Sequence, residues 1–75
     1  MTLREARDVA GLTRDRLAEL AGTTTTTIYD IETGRNRRPS HETVIRIVRA
    51  LQRVGLAGLT ADQLFPVPDA SEAVR

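Results

Sequence analysis

Residues Leu12 to Pro39 read LTRDRLAELAGTTTTTIYDIETGRNRRP, and the spacing of their apolar, threonine and glycine residues decides the fold. Thr13 is placed to cap a helix, its hydroxyl accepting from an amide N–H that has no partner within the first turn. Leu17, Ala18 and Ala21 then share one apolar side, which predicts a helix over Arg14–Ala21. Gly22 stops it, because glycine enters the left-handed region without a Cβ clash. Thr24 is a second N-cap. Ile28 and Ile31, three apart, give a further helix over Thr25–Glu32 its buried stripe, and Gly34 closes it.

The run Thr23–Thr27 has two readings. Threonine is a poor helix former and a low-complexity run can be linker. The flanking Gly22, Ile28 and Ile31 favour a structured turn that leads into the first turn of a helix.

Working outward, Thr2-Leu3-Arg4-Glu5 has the form of a capping box ahead of a first helix from about Leu3 to Ala10, lined by Leu3, Ala6 and Ala10. On the other side, Arg35-Asn36-Arg37-Arg38-Pro39 is a polar loop ended by proline, with Ser40 as the next cap. From about His41 to Val54, the residues Val44, Ile47, Val48 and Leu51 keep one side of a helix apolar. Residues 55–60, GLAGLT, form a loop with two glycines and leucines expected to be exposed. Thr60-Ala61-Asp62-Gln63 opens a short fifth helix carrying Leu64 and Phe65, stopped by Pro66 and Pro68. Residues 66–75 are expected to be a short disordered tail, leaving residues 1–65 as the domain.

The chain has 75 residues, enough for one small domain with a marginal core. It has no cysteine, so neither a disulfide nor a thiolate site, and a cytoplasmic setting fits. No apolar run is long enough to cross a bilayer and no signal peptide is visible. Net charge is only +1, but its distribution is uneven. Residues 33–55 carry Arg35, Arg37, Arg38, Arg46, Arg49 and Arg53 against Glu42 alone, a local +5, while residues 1–32 and 56–75 each sum to −2. A basic block in a near-neutral chain suits a localised phosphate-binding face. For Arg46 and Arg53 the plainer reading, solvated helix residues, is the better one. Every basic side chain is arginine.

Leu12-Thr13, Leu17-Ala18-x-x-Ala21-Gly22, Ile28-x-x-Ile31-Glu32-x-Gly34 and Arg38-Pro39-Ser40, in this order and spacing, resemble the helix-turn-helix of the phage repressor and Cro type, the XRE family. The likeness spans roughly residues 2–53. It implies an all-α, compact five-helix lambda-repressor-like domain whose third helix enters the major groove of double-stranded DNA. It carries base contact onto Thr25, Thr26, Tyr29 and Asp30. Phosphate contact falls on Arg14, Thr24, Arg35, Asn36, Arg37 and Arg38. In similar domains an acid at the place of Glu32 pairs with an arginine of the first helix, here Arg7. The resemblance also implies a homodimer on a palindromic site, with contact through Leu56, Leu59, Leu64 and Phe65. The link between the fourth and fifth helices is longer than in relatives, which leaves the dimer arrangement open.

The residue types temper this picture. Threonine offers a hydroxyl and a methyl for thymine, Tyr29 a ring or a hydroxyl, and Asp30 an acceptor for cytosine N4. The third helix has no Arg, Lys, Gln or Asn for bidentate reading of guanine or adenine, so direct readout should be weak and DNA shape important. Thr24 can be a cap alone, Thr27 half-buried, Tyr29 a mere cover of the helix surface, and Asp30 a penalty beside a polyanion. If about four phosphates are neutralised per subunit, log K should fall with log salt by roughly 0.9 per contact.

No enzyme reading finds support. His41 is the sole histidine and sits at a helix start beside Glu42, which does not make a site, and no cofactor or metal spacing is present. The expectation is therefore a DNA-binding transcriptional regulator, most simply a repressor. The rival is a protein-interaction module or antitoxin component with the same fold, favoured by the acidic, threonine-rich third helix and the apolar stretch 56–67.

Overall fold

The computed structural model describes residues 1–65, and among these the chain is all-helical. Its five helices are α1 (Leu3–Val9), α2 (Arg14–Ala21), α3 (Thr25–Thr33), α4 (His41–Arg53) and α5 (Ala61–Leu64). The tail 66–75, expected to be disordered, lies outside the described residues.

Each start is set by a hydroxyl or its neighbour. Thr2 Oγ1 accepts from the Glu5 amide at 3.1 Å while Glu5 Oε1 accepts from the Thr2 amide at 2.8 Å. Thr13, Thr24 and Ser40 accept from the amides of Arg16, Thr27 and Thr43. At α5, Gln63 Oε1 accepts from the Thr60 amide at 3.0 Å. Such caps matter most in helices this short, which propensity alone cannot hold. The threonine run is therefore turn and helix, not linker. Gly22 and Gly34 end α2 and α3 at φ +70° and +82°, where a side chain would be strained. Helix ends differ from expectation by a residue. Thr33 joins α3, its hydroxyl donating back to the Tyr29 carbonyl at 2.9 Å.

Helix α2 lies against both α4 and α3, α1 leans on α3, and α5 on α4. Leu17, Ile28, Ile47 and Leu51 are wholly buried at the centre, with Leu3, Ala6, Ala18, Ala21 and Leu64 around them. Ile31 and Val44, expected on the buried sides of their helices, are only half-buried, and so is Leu12. Leu12 sits in the turn before α2, and Ile31 and Val44 face an open groove.

The α4–α5 link needs a correction. Leu59 was expected to be exposed and available to a dimer partner, but it is buried, as is Leu64. The loop turns back on itself: the Leu56 amide donates to the Leu51 carbonyl and the Leu59 amide to the Leu56 carbonyl. Gln52 Nε2 then donates to the Leu59 carbonyl at 2.8 Å. This folds the leucine inward and satisfies its backbone. Val48 and Ala50 complete the core.

Candidate nucleic-acid interface

The outer face of α3 follows from its inner one. Burying Ile28 completely turns Thr26 and Tyr29 to solvent, and Thr25 is exposed because it stands at the open start of the helix. Tyr29 is 43% exposed, unusual for so large an apolar ring in this chain. Asp30 is half-buried, as is Thr27.

Two contacts lay the start of α2 beside this face. The Thr25 hydroxyl donates to Asp15 Oδ1 at 2.6 Å. The Arg14 guanidinium carbon stands 5.2 Å from the centroid of the Tyr29 ring, within reach of a cation–π attraction. Arg14, Asp15, Thr25 and Tyr29 thus form one continuous surface.

Behind it lies a three-residue ion cluster. Glu32 Oε2 receives Arg7 Nε at 2.8 Å, and Glu32 Oε1 receives Arg14 Nε at 2.9 Å and Arg7 Nη2 at 3.3 Å. The Glu32 side chain is 2% exposed, against 12% for Arg7 and 38% for Arg14. Burial by itself pushes the Glu32 carboxyl up. The hydrogen bonds from Arg7 and Arg14, with their charges, outweigh it and hold the group below its ordinary value. The hydrogen bonds that Arg7 donates to Glu32 hold the guanidinium above its own ordinary value. Arg7 Nη1 also donates to the Leu12 carbonyl at 2.9 Å, so one guanidinium ties α1, the turn before α2 and α3.

The structure thus brings Arg7 and Glu32 together and adds Arg14, which spacing alone did not join to them. Arg14 keeps both Nη groups free of protein acceptors among the described residues. The Thr24 hydroxyl is engaged, accepting from the Thr27 amide and bonded to the Thr27 hydroxyl. In the loop after α3, Arg35, Asn36, Arg37 and Arg38 are exposed, and among the described residues none of the three arginines has a carboxylate partner. Asn36 shapes this loop: its amide donates to the Asp30 carbonyl at 3.0 Å and its Oδ1 accepts from the Arg38 amide at 3.1 Å. Only its Nδ2 is left for a ligand. Arg46 is paired with Glu42 and leans on the Gly22 carbonyl.

Sequence reasoning missed Asp15. Its signal was its place one residue after Arg14 at a capped helix start, but ten residues separate it from Thr25.

Beside the arginine loop is an open groove of about 850 Å³, with Ile31, Pro39, Val44, Leu64 and Phe65 against Arg37 and Arg38. Among the described residues there is no cluster of potential metal ligands and no helix long and apolar enough to cross a membrane.

Compared with known families, the chain matches a model described as a helix-turn-helix domain over residues 1–64. No curated protein and no solved structure matches the chain.

Proposed function

The chain belongs to the helix-turn-helix domain family, and from that premise we propose that it is a sequence-specific DNA-binding regulator of transcription, acting as a repressor. Helix α3 enters the major groove, with Thr25, Thr26, Tyr29 and Asp30 against base edges. Arg14, Thr24, Arg35, Asn36, Arg37 and Arg38 meet the phosphates on either side, Thr24 through its backbone because its hydroxyl is engaged. Arg7 and Glu32 hold α3 in place. Residues 1–65 are the working unit, in the cytoplasm.

The observation that carries this reading is the exposed outer face of α3, with Arg14 against it and a loop of arginines at its end that have no carboxylate partner among the described residues. It acts as a homodimer on two half-sites, one helical turn or a multiple of it apart. With Leu59 and Leu64 inside the fold, Leu56 and Phe65 remain as half-buried apolar residues for the dimer contact.

Selection of bound sequences from a randomised duplex pool tests the proposal. A palindromic motif is expected. Enrichment of no motif, with no retardation of DNA at low salt, would exclude it. The second reading, a protein-interaction module, draws on the apolar groove beside Phe65 and on the carboxylates of Asp15 and Asp30 near α3. That protein would bind no DNA at either low or moderate salt.

A further inference from the structure

We propose that Arg14 is a positioning residue for Tyr29, so that the base preference conferred by Tyr29 depends on a guanidinium gripped by buried Glu32. This rests on the DNA-binding reading above and assigns a specificity role that phosphate contact alone does not include.

The chain of contacts runs from the interior to the surface. The Glu32 carboxylate cannot swing, since both of its oxygens are held by donors from α1 and α2. It fixes Arg14 at Nε, one corner of a planar group. Its central carbon lies over the ring of Tyr29, 5.2 Å from the centroid. Among the described residues the Tyr29 hydroxyl has no hydrogen-bond partner, so no polar contact of its own orients the ring. A ring on the exposed side of a short helix would otherwise exchange between staggered rotamers and lose that freedom on binding. The stack removes this cost in advance.

The same arrangement couples two kinds of contact. Among the described residues the Nη groups of Arg14 meet no protein acceptor, so they are available to a phosphate. A phosphate held there and a base met by Tyr29 are therefore kept in register through one rigid side chain. Lysine would supply the charge but neither the plane nor the separate Nε donor. Glutamine would supply a donor without the charge.

Tyr29 is the only tyrosine and the chain has no tryptophan, so the tyrosine band of its near-ultraviolet circular dichroism, at longer wavelength than that of Phe65, reports this ring in the free protein. Arg14→Lys is expected to lose most of that signal while the far-ultraviolet helical spectrum is unchanged. In pool selection, Arg14→Lys should flatten the motif at the positions that Tyr29→Ala flattens. Discrimination there should fall roughly two- to fivefold, the range of an exposed cation–π contact. The salt slope should stay at the wild-type value. Arg14→Gln should lose the same discrimination and also about 0.9 of slope per subunit. An undiminished tyrosine signal in Arg14→Lys, or a motif altered elsewhere or nowhere, would overturn the proposal. A wild-type protein that selects no motif would overturn both this role and the DNA reading, while the dichroism still reports whether the stack exists.

Discussion

The Thr25 hydroxyl donates to the Asp15 carboxylate at 2.6 Å, which ties the first residue of α3 to the first turn of α2. This bond occupies the only proton the hydroxyl can donate, so in the free protein Thr25 can offer a base its acceptor lone pair and its methyl group. The carboxylate also adds a negative charge to a face that would meet a polyanion. Asp15→Asn retains an acceptor for Thr25 and removes the charge. It should raise affinity for DNA of any sequence, by about 1 kcal/mol or less at low salt, and less as salt increases. Titrations of matched and random duplexes at two salt concentrations would check this.

Arg7→Met should be the most destabilising change in the ion cluster, because it leaves a carboxylate that is 2% exposed with Arg14 alone. A loss of about 3 kcal/mol is expected, the lower end for breaking a buried pair. Arg14→Met should cost about 1 kcal/mol, since Arg14 is partly solvated and Arg7 remains. Urea denaturation of the two variants measures the order. Equal, negligible effects would mean that the cluster does not hold α3.

Acid should weaken the fold through Glu32. Its folded carboxyl titrates below the ordinary 4.5, so it contributes stability above that pH, and the contribution is lost as pH falls through the folded value. Glu5, held low by hydrogen bonds from the Thr2 amide and hydroxyl, acts in the same direction. Stability measured from pH 7 downward should begin to drop near pH 5, and Glu32→Gln should show a shallower drop than the wild type.

Replacing Arg35, Arg37 or Arg38 by alanine should weaken binding to all sequences about equally. Each loss should reduce the salt slope by roughly 0.9 if that side chain meets a phosphate. Melting temperatures should hardly move, because these side chains are exposed and unpaired among the described residues. Affinity measured across a salt series separates the three positions.

Leu59→Ala should destabilise the domain by about 2–4 kcal/mol, as truncation of a buried leucine does. A residue at a dimer contact would instead alter the concentration dependence of assembly. Denaturation at two protein concentrations distinguishes these. A loss independent of concentration is expected.

What sequence alone revealed, and what it did not, divides along the range of the interactions. Caps at Thr2, Thr13, Thr24 and Ser40 act within three residues, and the stripe of Ile28 acts within one helix, so both were legible. The outward face of α3 followed directly from that stripe. Leu59 was not legible, because no periodicity marks a lone leucine in the loop between Gly58 and Thr60. Its burial depends on a loop that closes only once Gln52 and Leu51 are in a helix. Nor were the links from Asp15 to Thr25 and from Arg14 to Glu32 and Tyr29. They join two helices whose separation depends on how Gly22 turns the chain and on how α2 seats against α4. Arg7 and Glu32 were paired in advance only through likeness to similar domains.

The arginine loop after α3 has one more implication. A guanidinium is not the group that acetyltransferases modify on lysine. With arginine in place of lysine throughout, acetyl transfer to a lysine cannot switch off attraction to a nucleic acid backbone. Release can come instead from competing anions or from a molecule that covers the face.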